Sequence, residues 1–176
     1  MSSSWIPASP QHIVVMGVSG CGKTSVGSAL AQRLGCEFLD GDTLHSAENI
    51  AKMTAGTPLT DEDRFPWLRA VGRELGDCHA SGHSLVVGCS ALRRSYRDLV
   101  REQAPGTVFF HLHGDIEVLT ERLRLRSGHF MPATLLASQL DVLEPLEGDE
   151  QGTVLDVGLS ITEIVDAAVE WLSHTR

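Results

Sequence analysis

Eight consecutive residues constrain this chain more than any other feature. Gly17-Val18-Ser19-Gly20-Cys21-Gly22-Lys23-Thr24 reads G-x-x-x-x-G-K-[ST], the pattern of a loop that wraps nucleotide phosphates. Such a loop works only between a strand and a helix. The preceding His12-Ile13-Val14-Val15-Met16 is an apolar run of buried-strand length, and residues 25–34 place Val26, Ala29, Leu30 and Arg33-Leu34 at helical spacing. Gly17, Gly20 and Gly22 let backbone amides turn inward with no Cβ in the way. Val18, Ser19 and Cys21 then contribute mainly through their backbone. The helix that follows aims its unpaired amides and positive end at the phosphates of ATP. Lys23 reaches the β- and γ-phosphates as a point charge, and the Thr24 hydroxyl is the expected ligand of Mg2+. The simpler alternative, a glycine-rich turn capping an ordinary helix, does not account for the strand on the other side.

Downstream, apolar strand-like runs alternate with helical patterns. Strands are predicted at 36–39, 84–88, 107–112 and 153–157, and helices at 60–79, 92–103, 115–126, 133–143 and 161–173. This alternation predicts an α/β fold, a five-stranded parallel sheet with helices on both faces. Residues 1–11 read as a flexible tail of serines and prolines, and 12–176 as one domain. The stretch 122–143 interrupts the alternation with a helix, a glycine-containing loop and another helix, the form of a closing lid. Within it Arg122 and Arg126 share a helix face and are expected to meet nucleotide phosphates when the lid shuts. The third strand ends without the aspartate that many phosphate-loop proteins carry there.

A net charge of −9 argues against a nucleic-acid partner. Seven of the 14 Lys and Arg nevertheless lie between Arg93 and Arg126, which suits an anionic substrate in a locally positive cleft or, equally, solvated helix faces. No apolar run approaches membrane-spanning length. The N-terminus has no signal-peptide pattern, and the four cysteines form no C-x-x-C pair, so reduced thiols in the cytoplasm are expected. Cys21, beside Lys23 and a helix start, is a candidate reactive thiol or an inert small residue.

Asp40-Gly41-Asp42 closes the second strand, where α/β sheets face their ligand crevice. The pair is placed for Mg2+ or a substrate hydroxyl, with a helix N-cap as the alternative. His45, Asn49 and Lys52 fall at i, i+4 and i+7, predicting one polar helix face that binds a polyhydroxyl compound or meets solvent. Thr60 is the expected N-cap of the helix that carries Arg64.

Together the loop, Phe38-Leu39-Asp40-Gly41-Asp42-x-Leu44-His45, Asn49-Ile50-x-Lys52-Met53, Leu59-Thr60-Asp61-Glu62-Asp63-Arg64-x-Pro66-Trp67-Leu68, Cys89-Ser90-Ala91-Leu92-Arg93-x-x-Tyr96-Arg97-Asp98 and Gly128-His129-Phe130-Met131 resemble gluconate kinases of the small, shikimate-kinase-like type. The resemblance covers about residues 12–171. It implies the P-loop kinase fold with a helical lid, ATP and Mg2+ as cofactors, D-gluconate as acceptor and 6-phospho-D-gluconate as product. It also implies a cytoplasmic homodimer. By the same resemblance Lys23, Asp42 and Arg126 are catalytic, Asp42 holding the acceptor hydroxyl. His45, Arg64, Arg93 and His129 bind substrate, Arg64 through its carboxylate, and Asp40 acts on the Mg2+ shell. Cys21 departs from the Ser or Ala common in that family, and Arg93 from Lys. A kinase of another small acceptor, such as shikimate, adenylylsulfate or a nucleoside monophosphate, stays open. So does a nucleotide switch without turnover, although the N-K-x-D guanine motif is absent.

Overall fold

The structure, a computed structural model, describes residues 5–125 and 133–175. Five strands, β1 His12–Met16, β2 Glu37–Asp40, β3 Leu85–Gly88, β4 Val108–His113 and β5 Gly152–Asp156, form one sheet in the order β2-β3-β1-β4-β5. All pairings are parallel. The central strand β1 is buried on both faces, which its unbroken apolar run requires. Ile13 and Val15 point to one side, Val14 and Met16 to the other.

The helices cover both sides. On the first, α1 Lys23–Leu34 and α7 Ile161–His174 pack Val26, Leu30, Ile164 and Ala168 onto Ile13, Val15 and Phe110. On the second, α3 Asp61–Ala80 and α4 Arg94–Gln103 pack Trp67, Leu68, Val71 and Val100 onto Val14, Val87 and Phe109. Each large apolar side chain buried in this way contributes about 1.5–3 kcal/mol. The short α2 Ala47–Thr54 follows β2, and α5 Ile116–Leu125 and α6 Ala133–Val142 lie between β4 and β5. Within the expected tail, Trp5 packs against the first core and the Gln11 amide donates to Ser84 Oγ at 2.8 Å.

Two helix starts differ from the sequence reading by more than one residue. Helix α4 begins at Arg94 rather than Leu92, because Ala91 takes a left-handed φ of 45° and turns the chain first. Buried Arg97 holds that turn, donating to Ala91 O at 3.0 Å while pairing with buried Glu150 at 2.7 Å. Helix α2 begins at Ala47, capped by Ser46, so His45 lies outside it.

Candidate active site

The carboxyl ends of β1, β2 and β3 converge on one crevice. After β1 the chain makes the phosphate loop. Gly22 caps α1 at φ 94°, with no side-chain cap and no acid in the first turn, so the helix start stays open to an anion. Gly20, at φ 84°, could not carry a Cβ, which would meet Leu123 Cγ at 2.9 Å on α5. Lys23 Nζ donates to the carbonyls of Gly17 and Val18 at 3.0 and 3.1 Å, and Thr24 is exposed on the first turn of α1. Cys21 is 1% exposed and packs in the core. Of the two readings of Cys21, that burial supports the inert small residue, since a reactive thiol needs access.

Across β3 stands the acidic turn. Gly41 lets the chain approach β3 closely, since a Cβ there would lie 2.5 Å from Gly88 O. Asp40 caps the turn, its Oδ1 accepting from the Asp42 amide at 3.0 Å. The Asp42 side chain is 77% exposed, with Oδ1 4.0 Å from His45 Nε2. The buried Cys89 thiol is pushed up to about 12, by burial first and then by Asp42, with Lys23 opposing and Asp40 adding. The Lys23 side chain and the acidic turn both pack against the end of β3, at Gly88.

His45 stacks on Trp67 with ring centroids 4.0 Å apart. Trp67 Nε1 donates to Gly41 O at 2.8 Å, tying α3 to the acidic turn. Burial, then the charge of Arg64, lowers the His45 pKa to about 4, so the ring is neutral at pH 7. The predicted polar face through His45, Asn49 and Lys52 does not form as a binding stripe. Asn49 Nδ2 contacts His45 Nδ1 at 3.3 Å and donates to Asp63 O at 2.9 Å. Lys52 Nζ donates to both Asp63 carboxylate oxygens at 2.8 and 2.9 Å. These contacts pin α2 to the capping box of Thr60 and Asp63 at the start of α3. The polar spacing was read as a surface, but its partners are internal.

Arg64 makes no ion pair with its acidic neighbours among the described residues. It donates to Leu59 O at 2.6 Å and lies over the Tyr96 ring, 5.7 Å from the centroid. Arg93 approaches the same ring at 5.9 Å. The Tyr96 hydroxyl donates to Asp61. The sequence reading placed no role on Tyr96 or Trp67. Their spacing held a signal, because Tyr96 stands three residues after Arg93 and Trp67 three after Arg64.

Arg122 lies beside the loop, donating to Val157 O at 2.7 Å. With Gly20, Gly22, Val26, Leu159 and Ile161 it lines a pocket of about 260 Å3. From α6, Gln139 Oε1 accepts the Ser19 amide at 2.7 Å, a contact no local pattern could foretell across 120 residues. Arg126, His129 and the rest of the Gly128-His129-Phe130-Met131 motif lie outside the described residues.

A phosphate loop between β1 and α1, facing an acidic turn across a parallel sheet, defines a P-loop kinase of small acceptors. The shikimate kinase family model matches residues 19–142. The gluconokinase of Gluconobacter oxydans (strain 621H) is 46% identical over 156 residues, 89% of this chain and 87% of its own length. A gluconokinase crystal structure from Sinorhizobium meliloti 1021 is 52% identical with a TM-score of 0.84, covering 93% of this chain and 92% of that one. An unliganded sugar kinase structure from Janibacter sp. HTCC2649 is 48% identical with a TM-score of 0.89, covering 94% of this chain and 96% of that one. The chain belongs to the gluconokinase family.

Proposed function

We propose that the protein transfers the γ-phosphoryl group of ATP to the 6-hydroxyl of D-gluconate, giving 6-phospho-D-gluconate and ADP. The observation that carries this reading is the position of Asp42, exposed on the turn after β2, a turn that packs at Gly88 against the same end of β3 as the side chain of Lys23. Phosphoryl transfer is chiefly positioning and charge stabilisation. Lys23 and the amides of residues 17–24 hold the β- and γ-phosphates. Asp42 orients the acceptor hydroxyl and takes its proton as the oxygen bonds to phosphorus. Arg64 and Arg93 hold the carboxylate at the far end, Arg64 with two parallel hydrogen bonds. With Nδ1 accepting from Asn49, neutral His45 keeps its Nε2–H to donate, beside Asp42, to an acceptor oxygen.

The adenine ring fits the pocket beside Arg122. Leu159 and Ile161 are 43% and 46% exposed there, apolar surface that a flat base would cover. Arg122 and Arg126 are the cations assigned to the phosphates, with 122–143 as the lid. Among the described residues no group of three His, Cys, Asp or Glu could hold a metal ion alone. Thr24 and Asp40 suit Mg2+, which keeps several waters and takes few protein oxygens beside the phosphates. When bound it neutralises charge on the β- and γ-phosphates. A cytoplasmic homodimer completes the proposal on family resemblance, and light scattering in solution measures the assembly.

The test is an acceptor panel of gluconate, shikimate and AMP with ADP release as readout. Release with gluconate alone is expected. Preference for shikimate or AMP would move the chain to another acceptor, and nucleotide affinity with no acceptor-dependent release would favour a switch.

A further inference from the structure

Arg64 and Arg93 come from different helices yet meet the same ring. Tyr96 is buried, 4% exposed, with two guanidiniums 5.7 and 5.9 Å from its centroid. Arg64 Nη1 also lies 3.4 Å from the Tyr96 hydroxyl. That hydroxyl donates to Asp61, and Asp61 Oδ2 lies 4.0 Å from Arg93 Nη1. Arg93 Nε is buried with no hydrogen-bond partner among the described residues.

The charges around this ring are few. Asp63, one residue before Arg64, gives both oxygens to Lys52 and is turned away. Asp61 is therefore the carboxylate that offsets the two arginines, leaving the cluster a net charge of about +1. A carboxylate ligand balances that charge. A phosphate monoester dianion would overshoot it and bring a second negative charge towards Asp61. The geometry is fixed from below, because Asp61 is the first residue of α3 and the capping box of Thr60 and Asp63 sets that turn. Like charges on the arginines repel, and the ring that both approach supplies an attraction that keeps them in place.

We propose that Asp61 and Tyr96 are positioning residues that set the spacing and the net charge of the Arg64–Arg93 pair, and so restrict the acceptor head group to a monoanionic carboxylate over a phosphate dianion. This rests on the reading that Arg64 and Arg93 face the acceptor carboxylate. It also assigns Asp61 a role beyond complementing the helix dipole, which any acid in a first turn performs.

The experiment uses the full chain with ATP. It compares the KM for D-gluconate with the inhibition constant of D-glucitol 1-phosphate, whose phosphate at C1 stands where gluconate has its carboxylate, and uses neutral glucitol as control. Asp61→Asn keeps an oxygen for the tyrosine hydroxyl and removes the charge. It should tighten D-glucitol 1-phosphate relative to gluconate by about tenfold, with glucitol unchanged. Tyr96→Phe keeps the ring and removes the hydroxyl. It should raise the gluconate KM by about five- to tenfold while the ATP KM stays within about twofold. If Asp61→Asn lowers only the melting temperature and leaves that ratio within about twofold, Asp61 is merely structural and the proposal is overturned. An Arg64→Ala variant with an unchanged gluconate KM would instead remove the carboxylate site itself, and the charge-setting role with it.

Discussion

The side of the crevice proposed for the nucleotide and the side proposed for the acceptor are built in opposite ways. The nucleotide side is local and made of backbone, with contiguous residues 17–24, glycines at left-handed φ and an open helix start. The acceptor side is long-range and made of side chains, with Asp42 from the end of β2, His45 after it, Arg64 and Trp67 from α3, and Arg93 and Tyr96 at the start of α4. A backbone cradle needs no particular neighbour, so it travels with its motif. A side-chain site exists only once four segments have packed. The expected consequence is that damage to the first side destroys chemistry, whereas damage to the second changes which acceptor is used and how well.

The largest effect should come from Lys23→Ala. On the proposed reading Lys23 acts on charge in the transition state, so kcat should fall by about 100- to 1000-fold with the melting temperature unchanged. Steady-state turnover at saturating ATP, beside a thermal melt, measures both. Turnover close to wild type would end the assignment of the loop.

Arg64→Ala should act on one substrate only. Loss of a charge-assisted bidentate contact is expected to lower kcat/KM for gluconate by about 10- to 100-fold, with the ATP KM within about twofold. Arg64→Lys should recover only part, because an ammonium cannot make the paired bonds. A gluconate KM and kcat both within about twofold of wild type would return Arg64 to a structural role, and equal damage to both substrates would erase the contrast between the two sides.

A milder effect concerns pH. His45 is held near a pKa of about 4 in the fold against about 6.5 in an unfolded chain. Between those values the unfolded state binds more protons, so stability should rise as pH rises from about 4 to about 6.5. His111, also lowered to about 4, by burial first, acts in the same window. His45→Gln should flatten part of the rise seen in denaturant melts and His111 should keep the rest. An unchanged slope would mean that the His45 ring is not buried on Trp67 as described.

The smallest effect is expected at Cys21. A thiol 1% exposed should react with an aromatic disulfide reagent no faster than the chain opens. Cys21→Ser should keep most activity, since the loop uses backbone there. Rapid labelling of Cys21 that ATP blocks would instead make the loop more open than its packing shows.

Most of the fold was legible because its signals are periodic. The five apolar runs became the five parallel strands, and the helices fell within a few residues of their predicted spans. The boundaries that moved did so for long-range reasons, as at Ala91, whose turn is held by Arg97 and Glu150. The site was legible in unequal parts. The loop was visible whole, and Asp42 and Arg64 were visible as residue types at suggestive positions. The polar spacing of His45, Asn49 and Lys52 misled, because helical periodicity reports which residues share a face and not what that face meets.

What the sequence determined by itself was the phosphate loop, the α/β layering and the family. Each rests on residues close along the chain, where steric limits and hydrophobic period act directly. Only the tertiary structure decided that Lys52 binds Asp63 and spares Arg64, that Trp67 supports His45, and that Tyr96 gathers two arginines over Asp61. Those contacts depend on how α2, α3 and α4 pack against the end of β2. An ion or a ring chooses its partner by distance in space, which no spacing along the chain records.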